Sequence, residues 1–167
     1  MVGKWFNKLG QIIAFFGKNV SWLSFLLVVV ICIDVIFRYI FNFSVAWVTE
    51  IEWHFFGLLF LFGSGYALSE EKHVRVDLFY QKFSPIEKAQ VNVVGTLFFL
   101  IPWSLTLAWY SFKYALQSFL IKETSPDPGG LGAIYFIKMA IPIGFILLFF
   151  QGLIILHKQL SLAVKRN

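Results

Sequence analysis

Four long apolar segments constrain this chain more strongly than any other feature of its sequence. They lie at about residues 20–39, 49–68, 89–115 and 133–156, and a helix needs about 20 apolar residues to cross a bilayer. The chain is 59% hydrophobic and 14% charged, which is more apolar surface than a soluble core of 167 residues can bury. We therefore predict an all-α integral membrane protein, with one four-helix transmembrane domain over residues 1–167.

The lysines and arginines are divided unequally between the two sides of the predicted bundle. One side holds ten of the fourteen: Lys4, Lys8, Lys18, Lys72, Arg75, Lys82, Lys88, Lys158, Lys165 and Arg166. The other side holds four: Arg38, Lys113, Lys122 and Lys138. Because segments rich in Lys and Arg stay in the cytoplasm, we expect both termini there. These charges flank apolar runs and form no interleaved basic face, so no nucleic-acid partner is expected.

The segment before the first span has a helical pattern of its own. Apolar side chains recur at helical spacing between residues 4 and 18, and lysines occupy other parts of the helical wheel. The pattern suits a helix in the plane of the lipid headgroups, and it equally suits the first turns of the next helix. Residues 74–83 are a second candidate for the membrane surface. No small-x-small cleavage site follows Lys4 and Lys8, so we expect this segment to be retained.

Charged and small side chains indicate where the first two spans meet their neighbours. Asp34 and Arg38 are four residues apart near the outer end of the first span, so they share a helical face and are expected to form a structural pair. In the second span, Gly57 and Ser64 are seven residues apart on one face. Small residues at such positions allow another helix to approach closely within lipid.

Two capping boxes predict where helices begin. The spacing of Thr49 and Glu52 predicts a helix start near Thr49, and the SPIE sequence at residues 84–87 predicts another. The second of these helices can continue to Ile121, which is longer than a bilayer requires. We expect Pro102 to kink it.

The sequence has no nucleophile with a base, phosphate-binding loop or metal signature, so we predict neither enzymatic activity nor a cofactor. Glu50 and His54 lie four residues apart, but a carboxylate-bridged metal site would need matching pairs on other helices. The three histidines leave one alternative open, a haem-carrying or structural membrane anchor of a respiratory enzyme. A haem between helices needs two axial ligands at similar depth, whereas His54 lies within a span and His73 and His157 lie at the opposite rim.

Several residues around the second span together resemble the small membrane subunit, the DctQ-type or Q subunit, of tripartite ATP-independent periplasmic (TRAP) transporters. That family has an arginine that ends the first span, a Trp-x-x-Glu motif that opens the second, and a His-Val-x-x-Asp motif after it. Here these are Arg38, Trp47 with Glu50, and residues 73–77, with the sequence HVRVD and with spacings like the family's. Thr49 stands where the family usually has a first acid. The resemblance covers nearly the whole chain.

The resemblance implies a small scaffold subunit in a bacterial inner membrane. In that family a large permease subunit holds the substrate and sodium and moves as an elevator, and a periplasmic protein delivers the organic acid. The small subunit is similar to a brace, in contact with the large subunit and with membrane lipids. The resemblance and the helix patterns together suggest interface or structural roles for nine residues: Asp34, Arg38, Trp47, Glu50, Gly57, Ser64, His73, Arg75 and Asp77.

The segment from Lys122 to Gly132 is the candidate contact for the periplasmic binding protein. It is rich in proline and glycine, and its charged side chains are Lys122, Glu123 and Asp127. Prolines stiffen a loop and so lower the cost of ordering it in a contact, and charges fix a partner's register. A plain connection between two spans remains the alternative.

Overall fold

The computed structural model describes residues 2–70 and 80–164, and every regular element within these ranges is helical. The elements are α1 (Val2–Val20), α2 (Trp22–Ile40), α3 (Ala46–Ser69), α4 (Pro85–Gly95), a π-helical segment (Thr96–Leu100), α5 (Ile101–Leu120) and α6 (Tyr135–Val164). Four stretches are long and apolar enough to cross a membrane: Lys4–Ile40, Ala46–Ser69, Pro85–Leu120 and Tyr135–Leu162. The prediction of an all-α chain with four stretches able to span a membrane is therefore confirmed for the described residues.

The N-terminal helix α1 is separated from α2 by a single turn residue, Ser21. α1 packs against α3 and α6: Phe6 stacks on His157 with ring centroids 4.6 Å apart, and Ile13 is buried. Ser21 itself has helical backbone angles, and its N–H bonds the carbonyl of Gly17 at 3.2 Å, so both alternatives for residues 4–18 stay open. The position of α1 in the headgroup plane stays a prediction.

The second span begins earlier than its sequence predicts. α3 starts at Ala46 after the extended residue Val45, and no side chain caps it. The N–H of Val48 bonds the carbonyl of Val45 at 3.2 Å, which closes the first turn by backbone contacts alone. The predicted capping box of Thr49 and Glu52 is therefore wrong, because both residues already lie inside the helix.

The capping box at the start of the third span is confirmed. The Ser84 hydroxyl accepts a bond from the Glu87 N–H at 3.4 Å, and the Ser84 N–H donates to Glu87 Oε2 at 2.7 Å. Pro85 is the first helical residue, where its missing N–H costs nothing. Together these contacts satisfy backbone groups that a helix end leaves without partners.

Pro102 lies directly after the π-helical segment in the middle of the third span. The N–H of Ile101 reaches back five residues to the carbonyl of Thr96. A wider π turn accommodates local stress in a helix, here beside a proline that has no N–H to donate. The kink at Pro102 stays a prediction; the structure places a π-helical segment directly before it, and the helix continues to Leu120, close to the predicted end.

α6 is the central helix of the bundle, while α2 lies at its edge. α6 contacts α5, α3, α4 and α1, whereas α2 packs mainly on α3. Close approach of α3 and α6 occurs at Gly144, where a Cβ would lie 2.8 Å from Leu61 Cβ, and at Gly65. Gly57, by contrast, has no atom within 4 Å of an added Cβ among the described residues. The helix contacts of α3 within the chain therefore use Gly65, and a contact of Gly57 and Ser64 with another subunit stays a prediction.

Candidate functional site

Glu50 connects the start of α3 to the loop between α5 and α6, residues 121–134. Its side chain is buried, with 7% of its surface exposed. One carboxylate oxygen accepts a hydrogen bond from the Ser125 hydroxyl, and the other accepts one from the Leu131 N–H at 2.6 Å. We call Glu50, Ser125 and Leu131 the loop clasp. A carboxylate bonds neutral donors strongly, so the clasp holds both arms of the loop on α3.

The loop is also closed by bonds within itself. The N–H of Ser125 donates to the carbonyl of Leu131 at 2.9 Å, and the N–H of Asp127 donates to the Ser125 hydroxyl at 3.0 Å. A further bond at 2.9 Å runs from the N–H of Gly130 to the carbonyl of Asp127, next to Gly129 with φ +77°. The loop is therefore a folded unit with a fixed shape.

Gly130 lies so close to the clasp that a side chain at this position would displace Ser125 or Glu50. A Cβ at this position would lie 2.3 Å from Ser125 Oγ and 2.6 Å from Glu50 Oε1. Both contacts are shorter than van der Waals distances allow, and both atoms are held by hydrogen bonds. The close packing of the loop on Glu50 therefore requires glycine here.

Glu123 and Lys138 form a second attachment between the loop and α6. Their carboxylate oxygen and ammonium nitrogen are 2.5 Å apart, and Lys138 Nζ lies 4.3 Å from the centroid of the Tyr114 ring. The hydrogen bond from Lys138, with help from Ser118, lowers the pKa of Glu123 below its ordinary value. The charge of Glu123 is thus used within the chain, whereas Lys122 and Asp127 are exposed and make no ion pair within residues 2–70 and 80–164.

A different polar group lies between α2 and α3 at the same end of the bundle. Asp34 is buried and pairs with Arg38, as the sequence predicts, while 45% of the Arg38 side chain is exposed. Glu52 lies within electrostatic reach of both, and its Oε1 is buried without a hydrogen-bond partner in the part of the chain described. We call Asp34, Arg38 and Glu52 the edge cluster. Beside it opens a recess of about 210 Å³, lined by Trp47 and mainly apolar side chains.

Several predicted site residues are thus brought together, although not always with the expected partners. Trp47 and Asp34 line the same recess, and Asp34 pairs with Arg38. Glu50 contacts the α5–α6 loop, so Glu52, which faces α2, does not share its role. His73, Arg75 and Asp77 lie outside the described residues.

Sequence reasoning missed Ser125, Gly130 and Leu131 as partners of Glu50. The two hydrogen bonds of the clasp join residues 75 and 81 positions apart. No helical spacing or short motif connects residues at such separations. The abundance of glycine and proline predicts a turn but not the atom against which the turn packs.

The two described histidines lie far apart in the bundle. His54 Nδ1 contacts the backbone carbonyl of Glu50, one turn earlier in α3, and His157 stacks on Phe6 of α1. His54 precedes Leu61 by seven residues and His157 follows Gly144 by thirteen, and Gly144 packs on Leu61 in a parallel helix. At about 1.5 Å per residue the two rings are roughly 30 Å apart, too far to ligate one haem.

The chain matches a known protein family over most of its length. The family model DctQ, described as "Tripartite ATP-independent periplasmic transporters, DctQ component", matches residues 27–161. No curated protein matches the chain in a sequence comparison. The family match begins within α2, continues through the other three spans and includes both the loop clasp and the edge cluster. The chain therefore belongs to the DctQ component family of TRAP transporters, as a membrane-embedded transport component and not an enzyme.

Proposed function

We propose that this chain is the brace of a sodium-driven TRAP transporter that takes up an organic acid across a bacterial inner membrane. Its partners are the large elevator-type permease subunit and a periplasmic substrate-binding protein. Family membership supports this assignment, since DctQ subunits generally work with both. The unequal distribution of Lys and Arg supports cytoplasmic termini and a periplasmic α5–α6 loop.

The loop clasp is the observation that carries the proposal. A brace needs fixed geometry and no chemistry of its own, and the Glu50 carboxylate, with its bonds to Ser125 and Leu131, fixes the loop to a membrane span. A surface that is ordered before binding loses less conformational entropy when a partner docks. The order of the loop therefore favours a role as a docking platform for the periplasmic binding protein over a role as a flexible connection.

Lys122 and Asp127 are the side chains of this platform that suit direct contact with the binding protein. Both are exposed, whereas Glu123 is paired with Lys138. Opposite charges on a fixed surface guide the orientation of a partner and accelerate its association at low salt. In this proposal Glu123 contributes by holding the loop in place.

The opposite side of α3 suits contact with the large subunit. α2 has Asp34 as its buried residue, and the edge cluster leaves one Glu52 oxygen without a hydrogen-bond partner in the described part of the chain. The recess beside Trp47 is open, and Gly57 has room for a neighbouring helix. A basic or hydrogen-bond-donating side chain of the large subunit would complete this cluster.

Uptake assays at limiting binding protein test the proposed platform. Asp127→Lys and Lys122→Glu should each slow uptake when binding protein is scarce and leave uptake near normal when it is abundant, because association is the affected step. Lys113→Glu is the matched control, since it reverses an exposed charge on the same predicted side but outside the loop. Uptake that is unchanged at every concentration of binding protein would show the loop to be a connector.

Reporter fusions test the orientation on which the platform depends. A fusion at Asn167 should report the cytoplasm, and one near Gly129 should report the periplasm. If the fusion at Asn167 reports the periplasm, the loop faces the wrong side for a periplasmic partner, and the docking proposal fails.

A further inference from the structure

α1 carries a recess that no described part of the chain fills. The recess has a volume of about 410 Å³ and is lined by Lys4, Trp5, Lys8, Leu9 and Ile12. α1 lies before residue 27, where the match to the DctQ family begins. The recess is therefore outside the segment by which the family is recognised.

The lining of the recess is divided into a cationic part and an apolar part. Lys4 and Lys8 are one helical turn apart, so their ammonium groups extend from the same side of α1. Trp5, Leu9 and Ile12 follow the same periodicity on the adjoining side, with Trp5 72% exposed and Ile12 49% exposed. Such a surface offers charge to an anion and apolar contact to a chain attached to it.

Another face of α1 is already used for packing within the bundle. Phe6 stacks on His157 of α6, Ile13 is buried near Gly65 of α3, and Gly17 lies against Tyr66. On a helical wheel these residues lie roughly a third of a turn or more from the lysines. The recess therefore faces away from the bundle while α1 is held in a defined position.

We propose that this recess binds an anionic phospholipid of the surrounding membrane. The phosphate lies between Lys4 and Lys8, and an acyl chain lies along Trp5, Leu9 and Ile12. α1 leads into the first membrane span through Ser21 alone, so lipid headgroups are the anions present at highest local concentration. Lysine stems pack on apolar surface while their ammonium groups reach phosphate, and tryptophan is typical of the lipid–water boundary.

Lipid binding here would also stabilise the contact of α1 with the bundle. α1 meets both α3 and α6, the two helices that approach closely at Gly144 and Leu61. A lipid held by α1 would fix the depth of this helix in the membrane. Its binding to the chain requires neither transport nor a partner subunit, so it is tested separately from the proposed function.

Native mass spectrometry of the full chain in detergent, titrated with defined lipids, tests the proposal. Phosphatidylglycerol should bind more tightly than phosphatidylcholine of the same acyl length. Each lysine near a lipid surface contributes about fivefold in affinity, so Lys4→Gln with Lys8→Gln should weaken phosphatidylglycerol binding about 25-fold. Lys18→Gln is the matched control, because Lys18 is an exposed lysine of the same helix outside the recess.

Replacement of both Lys4 and Lys8 by arginine tests whether weaker lipid binding in the glutamine variant comes from the lost charges or from a disturbed structure. This variant keeps both charges and should retain the preference for phosphatidylglycerol. Equal binding of the two lipids would overturn the proposal, as would an equal loss in the Lys18→Gln control. Displacement of phosphatidylglycerol by inorganic phosphate alone would also overturn it, because the apolar part of the recess would then contribute nothing.

Discussion

The loop clasp and the edge cluster lie at the same end of the bundle and both contain a glutamate of α3, yet they differ in how their charges are satisfied. Both oxygens of Glu50 accept bonds from neutral donors of the same chain. In the edge cluster, Arg38 pairs with Asp34, and Glu52 Oε1 is buried without a hydrogen-bond partner in the described part of the chain. The first group is complete within the chain, and the second is not.

This difference suggests that Glu50 stabilises the subunit itself, whereas Glu52 is available to bind a partner subunit. Buried polar groups that lack partners destabilise a protein, and the cost is recovered when another molecule supplies a hydrogen bond. We therefore expect changes in the clasp to destabilise the chain itself. Changes at Glu52 should alter the stability of the chain little and affect the complex with the large subunit more.

The largest effect is expected from Gly130→Ala. The added Cβ would displace Ser125 or Glu50 and break the clasp, and such overpacking typically costs about 1–3 kcal/mol. Thermal unfolding in detergent, followed by tryptophan fluorescence, measures the loss. Gly132→Ala is the matched control, because an added Cβ meets no atom within 4 Å there. Equal melting temperatures for both variants would show that the loop is not held closely on Glu50.

Glu50→Gln should destabilise the isolated chain less than Gly130→Ala, and it should also lower recovery of the complex with the large subunit. The amide keeps one oxygen as an acceptor, but its nitrogen faces the Ser125 hydroxyl or the Leu131 N–H. Unfolding in detergent measures the first effect, and co-purification with the large subunit measures the second.

Glu52→Gln, two residues away, tests whether the comparison between the two glutamates holds. It should leave the melting temperature near that of the parent chain and reduce co-purification. If Glu52→Gln destabilises the isolated chain as much as Glu50→Gln does, the edge cluster is part of the internal structure, and our distinction is wrong.

Arg38→Gln should have a smaller effect on the isolated chain, about 1 kcal/mol. This value lies between the small contribution of an exposed ion pair and the larger cost of breaking a buried one, because Asp34 is buried and Arg38 is partly exposed. Asp34→Asn combined with Arg38→Gln should recover part of the loss, since position 34 then no longer holds a buried charge without its partner. A double variant less stable than the sum of the two single changes would contradict a direct pairing.

Pairs of interacting residues that are close in the sequence could be predicted here more readily than pairs that are far apart. Asp34 with Arg38 and Ser84 with Glu87 interact within one turn of helix, and the sequence predicts both pairs. The same kind of local pattern failed at Thr49, because backbone contacts began α3 three residues earlier.

The loop clasp could not be predicted from the sequence. Its contacts depend on how α3, α5 and α6 pack, and this packing brings residues 75 and 81 positions apart together. Glu50 could be identified as important by its place in a family motif. Its partners could not, because any hydroxyl or N–H of the loop can donate a hydrogen bond to a carboxylate.

The smallest expected effect concerns Glu123 and the pH dependence of the loop. Its pKa is lowered by the hydrogen bond from Lys138, so the pair contributes its full stability above the ordinary pKa of a glutamate. That contribution is lost as the pH falls through the lowered pKa and Glu123 becomes protonated. The difference in melting temperature between the parent chain and Glu123→Gln should therefore shrink on acidification. A difference for Glu123→Gln that does not vary with pH would exclude the ion pair as its cause.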